Sequence, residues 1–249
     1  MKNIMTVVSQ EQIADRIYEM VLEGEITHNM KAPGQFVHVR VSDSTENVLR
    51  RPISISDIDQ DKSQFTITYR ADGEGTRKLS RFKPGDKVDL LSPLGTGYPV
   101  EEAGHVLLIG GGIGVPPLYE LSKQLNAIGV KTTHVLGFNS SKDIFYEEKF
   151  RALGETFIAT ADGSYGTEGF VTDVTRHLTE SFDRFYACGP KVMLKAVSDE
   201  LDMDGYISLE ERMGCGFGVC YACVCQRADG TQAKICTDGP VFRKGEILL

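Results

Sequence analysis

The 249-residue chain has six cysteines, and five of them fall between residues 215 and 236. Four lie in "ERMGCGFGVCYACVCQ" (211–226) and the fifth opens "CTDGPVF". Thiols at that density suit a disulfide knot, a zinc clip or an iron–sulfur cluster. Disulfides persist in oxidising compartments. The N-terminus, "MKNIMTVVSQEQIADRIYEM", has no apolar run followed by a small-residue cleavage site. No stretch reaches the ~18 consecutive apolar residues of a membrane span. The expectation is a cytoplasmic chain with reduced thiols and no membrane partner.

Cys215, Cys220, Cys223 and Cys236 are spaced C-x4-C-x2-C-x12-C. Zinc ligands usually come as two short knuckles. Here three thiols share one glycine-rich loop and the fourth is distant, which is the spacing of plant-type [2Fe–2S] sites. Gly214, Gly216, Gly218 and Ala222 leave room for backbone N–H groups to reach sulfides. Zinc stays open as the alternative. Cys225 is left over and reads as a free thiol.

Two other stretches suit anions. In "LLIGGGIGVPPLYEL", an apolar run breaks at Gly110, Gly111, Gly112 and Gly114, and a helical pattern follows. Such a turn brings backbone close to phosphate at a helix N-terminus, and Pro116 and Pro117 suit the helix's first turn. The pattern is not G-x-G-x-x-G, so an ordinary Rossmann dehydrogenase is not the best match. In "YRADGEGTRKLS" (69–80), Gly73, Gly75 and Thr76 precede a helical pattern, with Arg51 of "RPISIS" and Arg70 as cationic partners. "YACGP" (186–190) reads as a strand ending in Cys188, where a nucleotide on a parallel sheet would lie.

These residues need a scaffold, and the chain changes rhythm twice. Residues 1–98 hold short β-type runs, "QFVHVRV", "QFTITYRA" and "DKVDLLSPLG", punctuated by "APG" and "KPGD". That predicts a small antiparallel β-barrel with one helix near residues 75–82. Residues 99–205 alternate apolar runs with helical patterns, including a helix over "DIFYEEKFRALG", and predict an α/β domain with a parallel sheet. Residues 206–249 are too poor in apolar residues for their own core and need a metal or crosslink. The fold class is therefore multidomain: barrel, α/β domain and small C-terminal cluster module. An apolar fraction of 41% supports real cores, and a net charge of −8 argues against nucleic acid.

Taken in order, "RPISI", "YRADGEGT", "GGGIGVPPL", "DGSYGTEGFVTD", "CGP" and the cysteine motif resemble the ferredoxin–NADP reductase superfamily. Within it they are similar to the electron-transfer subunits of NAD-dependent (class 1B) dihydroorotate dehydrogenases, along essentially the whole chain. The resemblance implies that FAD is bound by Arg51, Pro52, Ile53, Ser54, Thr68, Tyr69, Arg70, Gly75 and Thr76. It places Ser54 near the reactive flavin nitrogen and Gly75 and Thr76 at the pyrophosphate. Gly110, Gly111, Gly112, Gly114, Cys188, Gly189 and Pro190 would face the nicotinamide nucleotide, and the four spaced cysteines would ligate [2Fe–2S]. No residue acts as a catalytic acid or base. The implied partner is an FMN-containing catalytic subunit in a heterotetramer of two plus two. After the second parallel strand, "GFNSSKDIFYEE" offers Lys142 but also Asp143, Glu147 and Glu148, which favours NAD over NADP. Rival readings are the FAD/[2Fe–2S] subunit of another NAD(P)H oxidoreductase, of ferredoxin:NADP or sulfhydrogenase type, and a zinc-stabilised binding module.

Overall fold

The structure is a computed structural model that describes residues 2–42 and 44–249. Alternating apolar positions build the first half. Strands β1 (Lys2–Ala14), β2 (Ile17–Glu23), β3 (Phe36–Val39), β4 (Arg51–Asp59), β5 (Gln64–Arg70) and β6 (Lys87–Leu94) close into a barrel in the order β1-β2-β5-β4-β3-β6. Met20, Leu22, Val37, Val39, Ile55, Ile67, Val88 and Leu90 fill it. Side chains alternate across a strand, so β3 serves two cores. Val37 and Val39 enter the barrel, while Phe36 packs into the core beneath the cluster module. Helix α1 (Glu74–Leu79) interrupts the barrel between β5 and β6.

The second half is built on β7 (His105–Gly111), β8 (Lys131–Phe138), β9 (Glu155–Thr160), β10 (Thr167–Glu168), β11 (Arg184–Cys188) and β12 (Gly205–Ser208). Helices α2 (Pro116–Ala127), α3 (Glu147–Arg151), α4 (Val171–Thr175) and α5 (Lys191–Glu200) accompany them. Past β12, a small hairpin pairs β13 (Val224–Gln226) with β14 (Gln232–Lys234), and β15 (Val241–Arg243) returns to the sheet. The sheet order is β10-β9-β8-β7-β11-β12-β15, parallel except for β15.

Two expectations need correction. The division between residues 205 and 206 falls inside β12, which pairs with β11 as part of the nucleotide sheet. The C-terminal segment thus borrows a core: Met213, Cys223, Ile235, Phe242 and Ile247 pack with Leu107, Ile109 and Phe185. The helix expected over 143–154 is only α3. Phe145 packs edge-on against Phe138 at 5.4 Å, and Tyr146 takes a left-handed backbone (φ 65°) before the helix starts. Burying two adjacent aromatics holds that segment out of helical conformation.

Polar clasps join barrel and sheet. Glu120, buried on α2, accepts the Ile58 backbone N–H at 2.9 Å and Lys123 Nζ at 2.9 Å, and Lys123 also pairs with Asp57. Tyr146 donates to Glu19 and lies 2.8 Å from Thr68 Oγ1. Among the described residues, no helix is long and apolar enough to cross a membrane.

One buried histidine makes the fold acid-sensitive. His134 on β8 is fully buried, with Nε2 2.8 Å from Ser122 Oγ and Nδ1 3.0 Å from Thr156 Oγ1. Burial pushes its pKa down to about 3, against a smaller raising effect of a backbone hydrogen bond at Glu155. A histidine depressed in the folded state binds its proton first when unfolded. Its stabilising contribution is therefore complete above the unfolded value and falls as pH drops below ~6.5, by up to about 1.4 kcal/mol per pH unit. Urea unfolding at pH 7.5 and 5.5 checks this: His134→Gln should lose less stability on acidification than the native chain. Equal acid losses would contradict it.

Candidate functional site

β4 and β5 run side by side and bring two distant motifs to one wall. A cavity of about 450 Å³ is lined there by Arg51, Pro52, Ile53, Ser54, Thr68, Tyr69, Arg70 and Thr76. Gly75 lies behind Arg51: a Cβ at that position would sit 2.5 Å from Arg51 Nη2, so a larger residue there would push the guanidinium out of its present place. Arg51 also donates to Asn47 Oδ1 at 3.0 Å and to the Leu49 carbonyl. Thr76 Oγ1 accepts the Gly73 N–H at 3.1 Å and ties off the start of α1. The Tyr69 hydroxyl donates to Gln10 at 2.8 Å, and burial raises its pKa well beyond the ordinary tyrosine range. Two guanidinium groups beside an apolar wall fit a flavin with a diphosphate.

The opposite wall comes from residues that sequence reasoning missed: Phe36, Ile113, Ser208, Leu209, Glu210, Glu211, Arg212, Met213 and Pro240. Glu210 follows β12 with an exposed side chain; the protein packed around its carboxyl raises the pKa while Arg70 pulls it back. A usable signal existed, because an acidic residue at the carboxyl end of a parallel strand lies where such sheets bind ligands. Met213 stands two residues before Cys215, so the cavity and the cysteine loop share a wall.

The glycine turn follows β7, and Gly112 takes φ 53°. Gly112 through Gly114 form one short 3-10 turn before α2, which has prolines at its start. Cys188, Gly189 and Pro190 end β11 against it. A Cβ on Gly114 would lie 2.4 Å from the Cys188 carbonyl oxygen, and one on Gly111 3.1 Å from Pro190 Cδ. The two motifs thus meet at the carboxyl end of the sheet, as a dinucleotide site requires. The Cys188 thiol does not line the cavity. It is buried, and desolvation followed by the Glu210 charge pushes its pKa up against the Ser208 and Tyr98 hydroxyls. At the end of β8, Ser140 Oγ donates to Asp143 at 2.9 Å.

The four spaced cysteines form two pairs. The Cys215 N–H donates to Cys220 Sγ and the Cys220 N–H to Cys215 Sγ, both at 3.4 Å. Burial raises the pKa of Cys215, but the N–H groups of Cys220, Phe217 and Val219, with the Cys220 thiol, bring it down to about 6. Cys236 faces Cys223, and burial and that thiol push it up to about 11. Among the described residues, no three Cys, His, Asp or Glu side chains converge on one metal ion. A zinc tetrahedron needs four ligands at one point. Two thiol pairs, three of the thiols on one N–H-rich loop and the fourth brought to it from residue 236, instead suit a cluster of two irons, each taking one pair. Cys225 stands apart on β13, and its thiol donates to the Ala233 carbonyl at 3.6 Å.

Comparison with known proteins agrees with this three-part arrangement. Residues 5–98 match an oxidoreductase FAD-binding domain, 108–199 an oxidoreductase NAD-binding domain, and 210–248 the iron–sulfur cluster binding domain of dihydroorotate dehydrogenase B. The dihydroorotate dehydrogenase B (NAD(+)) electron transfer subunit of Lysinibacillus sphaericus is 56% identical over 252 residues, covering 98% of each chain. That of Bacillus mycoides is 54% identical over 256 residues, covering 100% of this chain and 99% of its own. Among solved structures, the NADH-dependent reduced ferredoxin-NADP oxidoreductase superposes with a TM-score of 0.90 at 31% identity, covering 99% of this chain and 90% of that one. The FAD/NAD domain of a Vibrio cholerae nitric oxide dioxygenase shares the fold alone: TM-score 0.67, 20% identity, 79% of this chain and 91% of that one. The chain belongs to the family of dihydroorotate dehydrogenase B (NAD(+)) electron-transfer subunits.

Proposed function

We propose that this chain carries electrons from the FMN of a dihydroorotate dehydrogenase catalytic subunit to NAD+, in de novo pyrimidine (UMP) biosynthesis. The observation that carries the reading is the shared wall. Met213 lines the cavity of the arginine motif, and the first cysteine of the cluster loop follows two residues later. When bound, FAD exchanges hydride with a nicotinamide and single electrons with [2Fe–2S], a conversion no side chain supplies.

The chain's own residues hold, orient and insulate. Arg51, with Gly75 and Thr76 at the start of α1, would hold the diphosphate, and Arg70, whose guanidinium reaches the glycine turn at Gly112, would be the second cation. Pro52, Ile53, Ser54, Thr68 and Tyr69 would position the ring, with Ser54 offering it a neutral hydroxyl. Leu209 and Met213 exclude water from the opposite side. Gly110, Gly111, Gly112, Gly114, Cys188, Gly189 and Pro190 shape the nicotinamide side. Cys215 and Cys220 would hold one iron of a bound cluster, and Cys223 and Cys236 the other. Asp143 makes the end of β8 unwelcoming to a 2′-phosphate. The working units are the barrel of residues 1–98, a nucleotide unit from residue 99 that includes β12, and the cysteine-rich segment that follows β12.

Electrons must enter at the cluster, so the partner must reach that loop. Phe217, Val219 and Tyr221 are 54%, 73% and 73% exposed on it. Three large apolar side chains held in water beside one loop suit burial against a second protein. The assembly proposed is two copies of this chain with two FMN-containing catalytic subunits, in the cytoplasm. Val219→Asp should weaken co-purification with the catalytic subunit about tenfold or more, since a charge buried there costs more than the ~1.4 kcal/mol of one decade. The visible spectrum should be unchanged, and undiminished co-purification would exclude this docking face. The internal relay is tested by anaerobic addition of NADH to the isolated holoprotein. Flavin absorption should bleach and a reduced-cluster EPR signal should appear; a flavin that bleaches with no such signal contradicts the relay.

A further inference from the structure

His38 belongs neither to the arginine motif nor to the cysteine set, yet it joins them. It lies on β3 directly opposite Pro52 of β4, and it is fully buried. Its neighbours Val37 and Val39 point into the barrel, so its imidazole points outward, onto the cysteine loop. Nδ1 lies 3.2 Å from the backbone carbonyl of Cys215. The fit is close, because a Cβ on Gly216 would stand 2.5 Å from Nδ1, and Gly216 takes φ 80°. A carbonyl oxygen only accepts, so Nδ1 carries the proton and donates. The ring's other nitrogen, Nε2, is buried without a partner. A free N–H there would be stranded, so the Nδ1–H tautomer is the one the site accommodates. From the other side, Arg50 Nη1 donates to the His38 carbonyl at 3.3 Å and Nη2 to Asp89 at 2.7 Å, which fixes this end of β3.

We propose that His38 is a positioning residue that clamps the cluster loop to the flavin barrel through Nδ1–H···O=C of Cys215, and so sets how fast electrons cross between the two groups. The inference rests on the cluster reading of the four cysteines. The residue before the loop's sharp Gly216 turn has its carbonyl held by a side chain on the strand that pairs with the flavin motif. Hydrogen-bonding partners just outside a metal's ligands commonly change activity by 10–100-fold when removed.

Two variants separate this role from simple packing. His38→Leu fills the space without a donor, and His38→Asn puts an amide N–H near the position of Nδ1–H. In stopped-flow mixing of the holoprotein with NADH, His38→Leu should bleach the flavin at the native rate. Appearance of the reduced cluster should be slower by about tenfold, with changed g-values in its EPR spectrum. His38→Asn should recover most of both. If His38→Leu loads poorly with iron, native-like loading and cluster reduction in His38→Asn carry the same conclusion. Native rates and g-values in His38→Leu would overturn the proposal, as would His38→Asn behaving like His38→Leu. Failure of the underlying reading looks different, since the native protein would then show no cluster signal at all.

Discussion

Cys220→Ala should abolish the EPR signal of the reduced protein and remove the broad iron–sulfur absorption, leaving the flavin bands. Cys220 and Cys215 cradle one another through reciprocal N–H···S contacts, so losing one thiol leaves an iron with a single protein ligand. The loop has one spare thiol, Cys225, but it sits on β13 and is engaged with the Ala233 carbonyl. Cys225→Ser should therefore leave the cluster intact. The loss should extend to stability, because the segment's small apolar contribution leans on the nucleotide sheet and metal binding is coupled to its folding. Faster proteolysis within residues 210–248 would report it. A full-strength cluster signal in Cys220→Ala would refute the ligand set, and loss of the cluster in Cys225→Ser would require redrawing it.

Arg51→Ala should produce the second large effect, on flavin retention. Arg51 lines the cavity, and its guanidinium occupies the space that Gly75 leaves open at the start of α1. Hydrogen bonds to charged groups contribute about 1.5–3 kcal/mol, so removing this one should weaken FAD binding by roughly tenfold to a hundredfold. The chain should still fold, because the side chain's own contacts, to Asn47 and the Leu49 carbonyl, lie in one surface loop. Flavin content after gel filtration, with and without added FAD, measures the effect. Unchanged retention would show that the diphosphate is held elsewhere.

Local signals were readable from residues and spacing, while contacts made by the fold were not. Alternation in "QFVHVRV" locates β3 but says nothing of what its outward face meets, so nothing in the run marks His38. The cysteine spacing pointed to a cluster, yet the pairing of Cys215 with Cys220 and of Cys223 with Cys236 appears only once the loop is folded back on residue 236. Nothing local in "YISLEERM" ties Glu210 and Met213 to the nucleotide sheet, because the run opens the cysteine-rich segment. In fact β12 completes the nucleotide sheet and delivers those residues to the flavin-motif wall. The short α3 was hidden for a similar reason: "DIFYEE" has helical composition, but burial of Phe145 and Tyr146 overrides local preference.

The most direct test of the account is the assembled complex. The chain and its catalytic subunit, purified together from native extract, should reduce NAD+ when given dihydroorotate. The catalytic subunit alone should not, and adding back this chain loaded with FAD and cluster should restore the reaction. An FMN-containing partner that reduces NAD+ equally well without this chain, or a complex with no dihydroorotate-dependent NADH formation, would contradict it.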